Sequence, residues 1–270
     1  TRRLRTLLIA AVLLILSAAA IGVYYIADGV LPPDTANETT TDLPPEGVFI
    51  IENGILLSYS GNETEVTVPE GGTTIAANAF SGNTSIKILT LSSTVADLED
   101  GCLLGCEALE EVRVADGGAI SSSAGLVLSA DGKSVIYVNK AEVAEHLVIP
   151  EGVESLKALF AGCKTLISVK LPMSLSEIPE RAFADCENLE KAELGGVRLI
   201  GKEAFSSCFK LSYVDLGETR NVSSLAFSDC NALSEVKMTY VTRIYDRAFA
   251  NCGLKQVDFG KRLTRIDQLA

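Results

Sequence analysis

Residues 182–194, AFADCENLEKAEL, decide the architecture, because their pattern returns with a fixed period. Ala182-Phe183-Ala184-Asp185-Cys186 recurs as Ala204-Phe205-Ser206-Ser207-Cys208, Ala226-Phe227-Ser228-Asp229-Cys230 and Ala248-Phe249-Ala250-Asn251-Cys252, a spacing of 22. Degenerate copies precede these. Leu159-Phe160-Ala161-Gly162-Cys163 lies 23 residues earlier, Cys102-Leu103-Leu104-Gly105-Cys106 keeps the last cysteine, and Ala79-Phe80-Ser81-Gly82-Asn83 ends in asparagine instead. Each copy continues in register: Cys186 is followed by Leu189, Ala192 and Leu194, Cys208 by Leu211, Val214 and Leu216, and Cys230 by Leu233, Val236 and Met238. One more apolar anchor, Ile178, Ile200, Val222, Ile244 or Ile266, stands four residues before the next alanine. Ile266 plus four is Ala270, so the natural protein is expected to carry further repeats.

A period of 20 to 50 residues is the mark of a stacked-repeat architecture. A strand of about four residues cannot bury one face alone, whereas parallel strands stacked about 4.8 Å apart pair their backbones and align identical side chains in inner ladders. The expected fold is therefore an α/β-type repeat solenoid, right-handed and curved, with parallel strands on its concave side. The A-F-x-x-C segment is expected on the convex side as a helical turn. The column Phe160, Phe183, Phe205, Phe227 and Phe249 supplies most of the core, each ring burying on the order of 150–250 Å².

Between Leu103 and Phe160 the step is 57 residues, about 34 more than one period. Gly125 to Ser129, then Asp131-Gly132, then Ser134 to Val138 reads as a hairpin around a two-residue turn, and residues 48–59 read the same way around Asn53-Gly54. Each leads into a strand closed by proline, Val66-Thr67-Val68-Pro69-Glu70-Gly71 and Leu147-Val148-Ile149-Pro150-Glu151-Gly152. The module thus occurs near 48–71 and 119–152, its first copy placed where a solenoid needs a cap. The A-F-x-x-C-x-x-L-x-x-V-x-L pattern, with these interposed modules, resembles the BspA-like leucine-rich repeats over residues 48–270. That resemblance implies a surface or secreted protein of host-associated bacteria, linked to adhesion and to binding of host or matrix proteins. Asn83 and the segment around Cys102 depart from the pattern, so the first repeats are expected to be less regular.

Ahead of the repeats, residues 7–27 carry no charge over 21 positions, which as a helix rises roughly 31 Å, one hydrocarbon core. Residues 1–6 form a basic flank with Arg2, Arg3 and Arg5, which keeps the N-terminus cytoplasmic, while Tyr24 and Tyr25 suit the opposite interface. The expectation is one transmembrane helix with the repeats outside. The rival reading is a signal peptide cleaved near Ala18-Ala19-Ala20. Residues 28–46 hold four of the eight prolines and almost no apolar side chain, a stalk rather than a packed segment. The chain has a net charge of −12, and beyond residue 27 it carries 20 basic against 35 acidic residues. That balance argues against nucleic acid and anionic lipid as partners of the repeat region.

Six cysteines, at 106, 163, 186, 208, 230 and 252, share one repeat phase and Cys102 lies off it. Buried thiols packed as small hydrophobes are the principal reading, with rung-to-rung disulfides and a metal site as alternatives. No C-x-x-C pair, G-x-S-x-G, H-E-x-x-H or phosphate loop is present, and His146 is the sole histidine, read as a loop residue. The sequence therefore points to no catalytic residue, cofactor or metal. What remains is a face. By the two-residue alternation of a strand, Glu111 and Arg113, Ser168 and Lys170, Lys191 and Glu193, Tyr213 and Asp215, Glu235 and Lys237, and Gln256 and Asp258 point outward from the concave side. Lys170 with Glu193, and Lys237 between Asp215 and Asp258, are expected to pair across strands. The face is either a protein or matrix recognition surface with Tyr213 as its aromatic anchor, or a solvated spacer whose charges satisfy one another. A sensor ectodomain of a larger signalling protein is a third reading.

Overall fold

The computed structural model describes residues 47–156, 160–255, 257 and 259–270 with their side chains, and the backbone of Tyr24–Ala27. The chain forms two compact units, Thr1–Ala119 and Ile120–Ala270.

In the second unit the copies from Ser168 to Ile244 each contribute two short strands. The L-x-x-V-x-L segments form the three-residue strands His146–Val148, Ser168–Lys170, Lys191–Glu193, Tyr213–Asp215 and Glu235–Lys237, which pair in parallel in that order. Their central residues, Leu147, Val169, Ala192, Val214 and Val236, are buried and line up rung on rung. The apolar anchors expected in irregular segments instead build a second parallel ladder: Glu177–Ile178, Leu199–Ile200, Asn221–Val222, Arg243–Ile244 and Arg265–Ile266. Where the turns between the ladders stack, Gly195 and Gly217 both have φ near +50°, and a Cβ on Gly217 would lie 2.3 Å from the Gly195 carbonyl oxygen. No side chain fits there.

The A-F-x-x-C segments are turns, not helix; no helix occurs among the described residues. Two residues per copy take the left-handed conformation, Arg181 and Asp185, Glu203 and Ser207, Leu225 and Asp229, and Arg247 and Asn251. This breaks any helical run and frees the backbone to bond the next copy: Phe183 N donates to Ala204 O at 2.8 Å and Asp185 N to Ser206 O at 2.8 Å. The phenylalanines stack at centroid distances of 4.9, 5.1, 5.1 and 5.1 Å with nearly parallel rings, from Phe160 to Phe249.

The cysteines are free thiols. Four of them donate to the carbonyl of the phenylalanine one copy back: Cys186 Sγ to Phe160 O at 3.2 Å, Cys208 to Phe183 at 3.2 Å, Cys230 to Phe205 at 3.1 Å and Cys252 to Phe227 at 3.1 Å. Cys163, on the first of these rungs, donates to Lys140 O at 3.8 Å instead. Thiol packing and thiol bonding thus coincide. Burial raises Cys186 and Cys252 from 9.0 to about 12. A hydrogen bond to the Cys230 thiol, and then burial, hold Cys208 well above the ordinary range.

The hairpin before these repeats joins Leu126–Leu128 to Ser134–Val138, with a register shift at Val127 and Leu128. Its turn is longer than the expected two residues. Ser129 O accepts Gly132 N at 2.8 Å, Gly132 takes φ +70°, and Asp131 Oδ1 accepts both Ser129 Oγ and Lys133 N. Ser121–Ser123 adds a strand on one side and Ser155–Leu156 one on the other.

The first unit repeats the scheme with fewer rungs. Glu65–Thr67, Ile88–Leu91 and Glu111–Val114 form one parallel sheet. The hairpin of Val48–Glu52 and Ile55–Tyr59 turns at Asn53-Gly54, both left-handed as expected, and continues into Thr74–Ile75 and Asp97–Leu98. Tyr59 takes a rung of the aromatic column: its ring lies 5.6 Å from Phe80 and 4.6 Å from Phe49, and its backbone N donates to Ala79 O. Its hydroxyl donates to Glu63, which also accepts Gly47 N at 2.6 Å. Asn83 does the work of the missing cysteine. Its Nδ2 donates to Gly61 O at 2.9 Å while Oδ1 accepts Ser85 N and Ile86 N.

Of the apolar stretch 7–27, residues 7–23 lie outside the described residues, as does the stalk 28–46. Tyr24–Ala27 is a strand parallel to Val48–Ile51, not the end of a helix. Consecutive tyrosines beside an isoleucine favour extended backbone where a sheet edge is open to them. Among the described residues no helix is long and apolar enough to cross a membrane.

The raised thiols set a pH dependence. Below pH 9 folded and unfolded chains bind the same thiol protons; above it the folded chain retains protons the unfolded chain has lost, so stability falls as pH climbs toward 12. Urea unfolding of Cys186→Ala should show a shallower decline over that window than the parent. An equal slope would remove the thiols as its cause.

Candidate interaction face

Because the central residue of each three-residue strand turns inward, its two flanks turn outward and form two columns. His146, Ser168, Lys191, Tyr213 and Glu235 are register partners in one; Val148, Lys170, Glu193, Asp215 and Lys237 in the other. Eight of the residues expected from sequence, from Ser168 to Lys237, are thereby brought onto one face. Glu111 and Arg113 belong to the other unit, on its own parallel sheet. Gln256 and Asp258 lie outside the described residues.

Two members of the face escaped the sequence reading. His146 begins a strand rather than sitting in a loop, and Val148, 63% exposed, is an apolar side chain on an otherwise polar surface. The available signal was the alignment of Leu147-Val148-Ile149-Pro150 with Val169-Lys170-Leu171-Pro172, which makes the proline-closed segment the first rung of the sheet.

The charges largely neutralise one another. Lys191 Nζ lies 2.6 Å from Glu193 Oε1 and 5.6 Å from the Tyr213 ring centroid. Lys237 Nζ lies 2.9 Å from Asp215 Oδ2, as expected. The hydrogen bond to Glu193 raises Lys191, and that to Asp215 raises Lys237. The expected pair of Lys170 with Glu193 does not form, although the two are register partners. Lys191, two residues away on the same strand edge, reaches that carboxylate first, and no ion pair of Lys170 occurs among the described residues. In the first unit Arg113 clamps Glu111 in the same way, Nε to Oε1 at 2.8 Å and Nη2 to Oε2 at 2.9 Å, which lowers the Glu111 carboxyl.

His146 Nδ1 and Ser168 Oγ are 3.0 Å apart. Among the described residues no carboxylate orients the other ring nitrogen, so the pair lacks the third group of a nucleophilic constellation. No cluster of metal-ligating side chains occurs among the described residues. At the N-terminal edge of these strands runs a groove of about 500 Å³ whose lining includes Val143, Ile167, Glu145, Lys164, Glu190 and Lys210. The arrangement is a surface of alternating sign with one aromatic ring, one apolar side chain and an adjoining groove.

Comparison with known proteins gives a consistent picture. The family description "BspA type Leucine rich repeat region" matches residues 45–124 and 144–270, in six copies. A leucine-rich repeat protein from Eubacterium ventriosum is similar in structure, with a TM-score of 0.57 and 20% identity over 75% of this chain. The chain spans 62% of that protein's length. A leucine rich cell surface protein from Faecalibacterium prausnitzii aligns over 86% of each chain, with 19% identity and a TM-score of 0.49. No curated protein matches the chain.

Exposed ion pairs contribute little to folding, typically below about 1 kcal/mol. Tyr213→Ala with Lys237→Glu should therefore lower the urea-derived unfolding free energy by no more than about 1 kcal/mol. A loss of several times that would mean the face is part of the core's support.

Proposed function

We propose, on the premise that this chain belongs to the BspA-type leucine-rich-repeat family, that it is an exported scaffold which binds another protein through the outward face of the three-residue ladder. The observation that carries this reading is the position of Tyr213, a half-exposed ring whose strand neighbours are Lys191 and Glu235, with the exposed Val148 on the same ladder. An aromatic ring bordered by charges is the composition of an interface hot spot. The ligand class is a protein of the host, the matrix or a neighbouring cell. Export and anchoring by the apolar stretch are part of the proposal. With Tyr24–Ala27 in a strand, residues 7–23 still offer 17 uncharged positions, the lower end of the length that spans a bilayer.

The second reading, a spacer without a specific ligand, draws support from the pairing of Lys191 with Glu193 and Lys237 with Asp215, which leaves those charges satisfied without a partner.

Surface display separates the two. Tyr213→Ala with Lys237→Glu should weaken adhesion to a protein-coated surface by about 1–2 kcal/mol or more. Asp185→Asn and Asn251→Asp, on the left-handed turns, should leave it unchanged. Equal adhesion by all variants would favour the spacer. Topology is tested by protease treatment of intact cells, which should remove the repeats and leave the N-terminal segment in the membrane fraction; repeats that survive would contradict export.

A further inference from the structure

The second ladder carries a feature that the interaction face lacks. On four consecutive rungs an arginine stands at or beside the outward position: Arg198 and Arg220 immediately before the strands Leu199–Ile200 and Asn221–Val222, then Arg243 and Arg265 within the strands that follow. The rungs are tied in sequence by Arg220 N donating to Arg198 O at 2.9 Å and by the Arg243 and Arg265 register pair. Stacked strands place the members of each pair about 4.8 Å apart. The first pair stands one residue before the register column, in which Leu199, Asn221, Arg243 and Arg265 follow Glu177.

Their compensation is incomplete. Asp267 accepts from Arg243 Nη2 at 3.1 Å and from Arg265 Nε at 2.5 Å, one carboxylate for two guanidiniums. Arg198 and Arg220 are exposed and form no ion pair among the described residues; Glu218 is two residues from Arg220, and Glu177 is the register partner of Leu199 beside Arg198. A chain of net charge −12 thus presents a stripe of surplus positive charge.

We propose that this stripe binds a sulfated polysaccharide lying along the stack. A linear polymer in that direction meets a guanidinium at each rung, and the planar fork of arginine suits a tetrahedral oxyanion. Other polyanions fit less well. Leu199–Ile200, Asn221–Val222 and Arg243–Ile244 are paired with a neighbour on both sides, so along most of the stripe a peptide has no strand edge to augment. The neighbouring rings are covered, Tyr245 by Arg243 at 4.0 Å and Tyr240 by Arg262 at 5.0 Å, so a nucleobase has no free platform. A broad anionic membrane would meet the acidic residues as well as the stripe. A narrow chain meets the stripe alone, because charges beyond about 8 Å are screened at physiological salt.

The test is elution of the full chain, in detergent, from immobilised heparin in a salt gradient, with the folded state of each variant checked by circular dichroism. The parent should be retained at about 50 mM salt and released as salt rises toward about 200 mM. Arg198→Gln with Arg220→Gln should weaken binding about tenfold or more, the scale of losing charge-assisted contacts. Asp267→Asn, which frees two guanidiniums, should strengthen it. No retention of the parent, equal retention of the double variant, or equal retention on poly-glutamate or single-stranded DNA would overturn the proposal.

Discussion

The hydrogen bond from the thiols of Cys186, Cys208, Cys230 and Cys252 to the phenylalanine carbonyl one copy back is the contact on which the rest of the structure depends. It couples the two most constant residues of the repeat across the rung boundary, so the phenylalanine column cannot slip without leaving a buried donor and acceptor unpaired, at a cost of about 1–3 kcal/mol per group. Cys106 makes the same bond to Phe80 in the first unit, at 3.0 Å. Asn83, which replaces the cysteine, reproduces the donor and adds an acceptor for the following turn. The conserved property of the column is donation into the preceding rung, and sulfur is one way of meeting it.

That requirement explains which features were legible in the sequence. Phenylalanine and cysteine columns announce themselves because identical side chains recur at identical depth. The inward residues of the three-residue strands follow from alternation, as does the register that brings eight of the outward residues onto one ladder. The second ladder was not legible as strands, because two residues with one inward side chain carry no alternation; only Ile178, Ile200, Val222, Ile244 and Ile266 showed through as anchors. Tyr59-Ser60-Gly61-Asn62 was hidden for another reason. It repeats Phe80-Ser81-Gly82-Asn83, but tyrosine in place of phenylalanine placed it inside the hairpin reading. Its hydroxyl reaches Glu63, and burial first, then that carboxylate, raises the phenol above its usual range. Side-chain pairing on the face was the least legible. Register predicts which residues are adjacent, whereas the choice of Lys191 over Lys170 by Glu193 depends on side-chain reach.

The two ladders of the second unit also differ in what they leave uncompensated. On the three-residue ladder two outward columns set lysines beside carboxylates, so Lys191 meets Glu193 on its own strand and Lys237 meets Asp215 on the neighbouring one. On the two-residue ladder there is one outward position per rung, and four rungs place arginine at or beside it. The first rung of that column holds an acid, Glu177, and the later rungs hold none. Asp267, just past its strand, compensates two arginines at once, while the earlier pair has no equivalent: Ser223 stands at that position after Asn221–Val222 and Gly201 after Leu199–Ile200.

The turns show how far the stack overrides local preference. Two positions per copy are left-handed. The one before the cysteine holds Gly162, Asp185, Ser207, Asp229 and Asn251, mostly residues that tolerate this conformation. The other holds Arg181, Glu203, Leu225 and Arg247, which do not favour it, yet their φ values lie between 54° and 58°. Each such residue costs roughly 1–2 kcal/mol. What holds them is the next rung: Arg181 N donates to Lys202 O at 3.0 Å, Glu203 to Ser224 at 3.2 Å, Leu225 to Asp246 at 3.2 Å and Arg247 to Gln268 at 3.1 Å. A leucine in the left-handed region is tolerable only because its backbone donor would otherwise go unmet. The first position is therefore written into residue type and can be read from sequence, while the second is imposed by stacking and cannot.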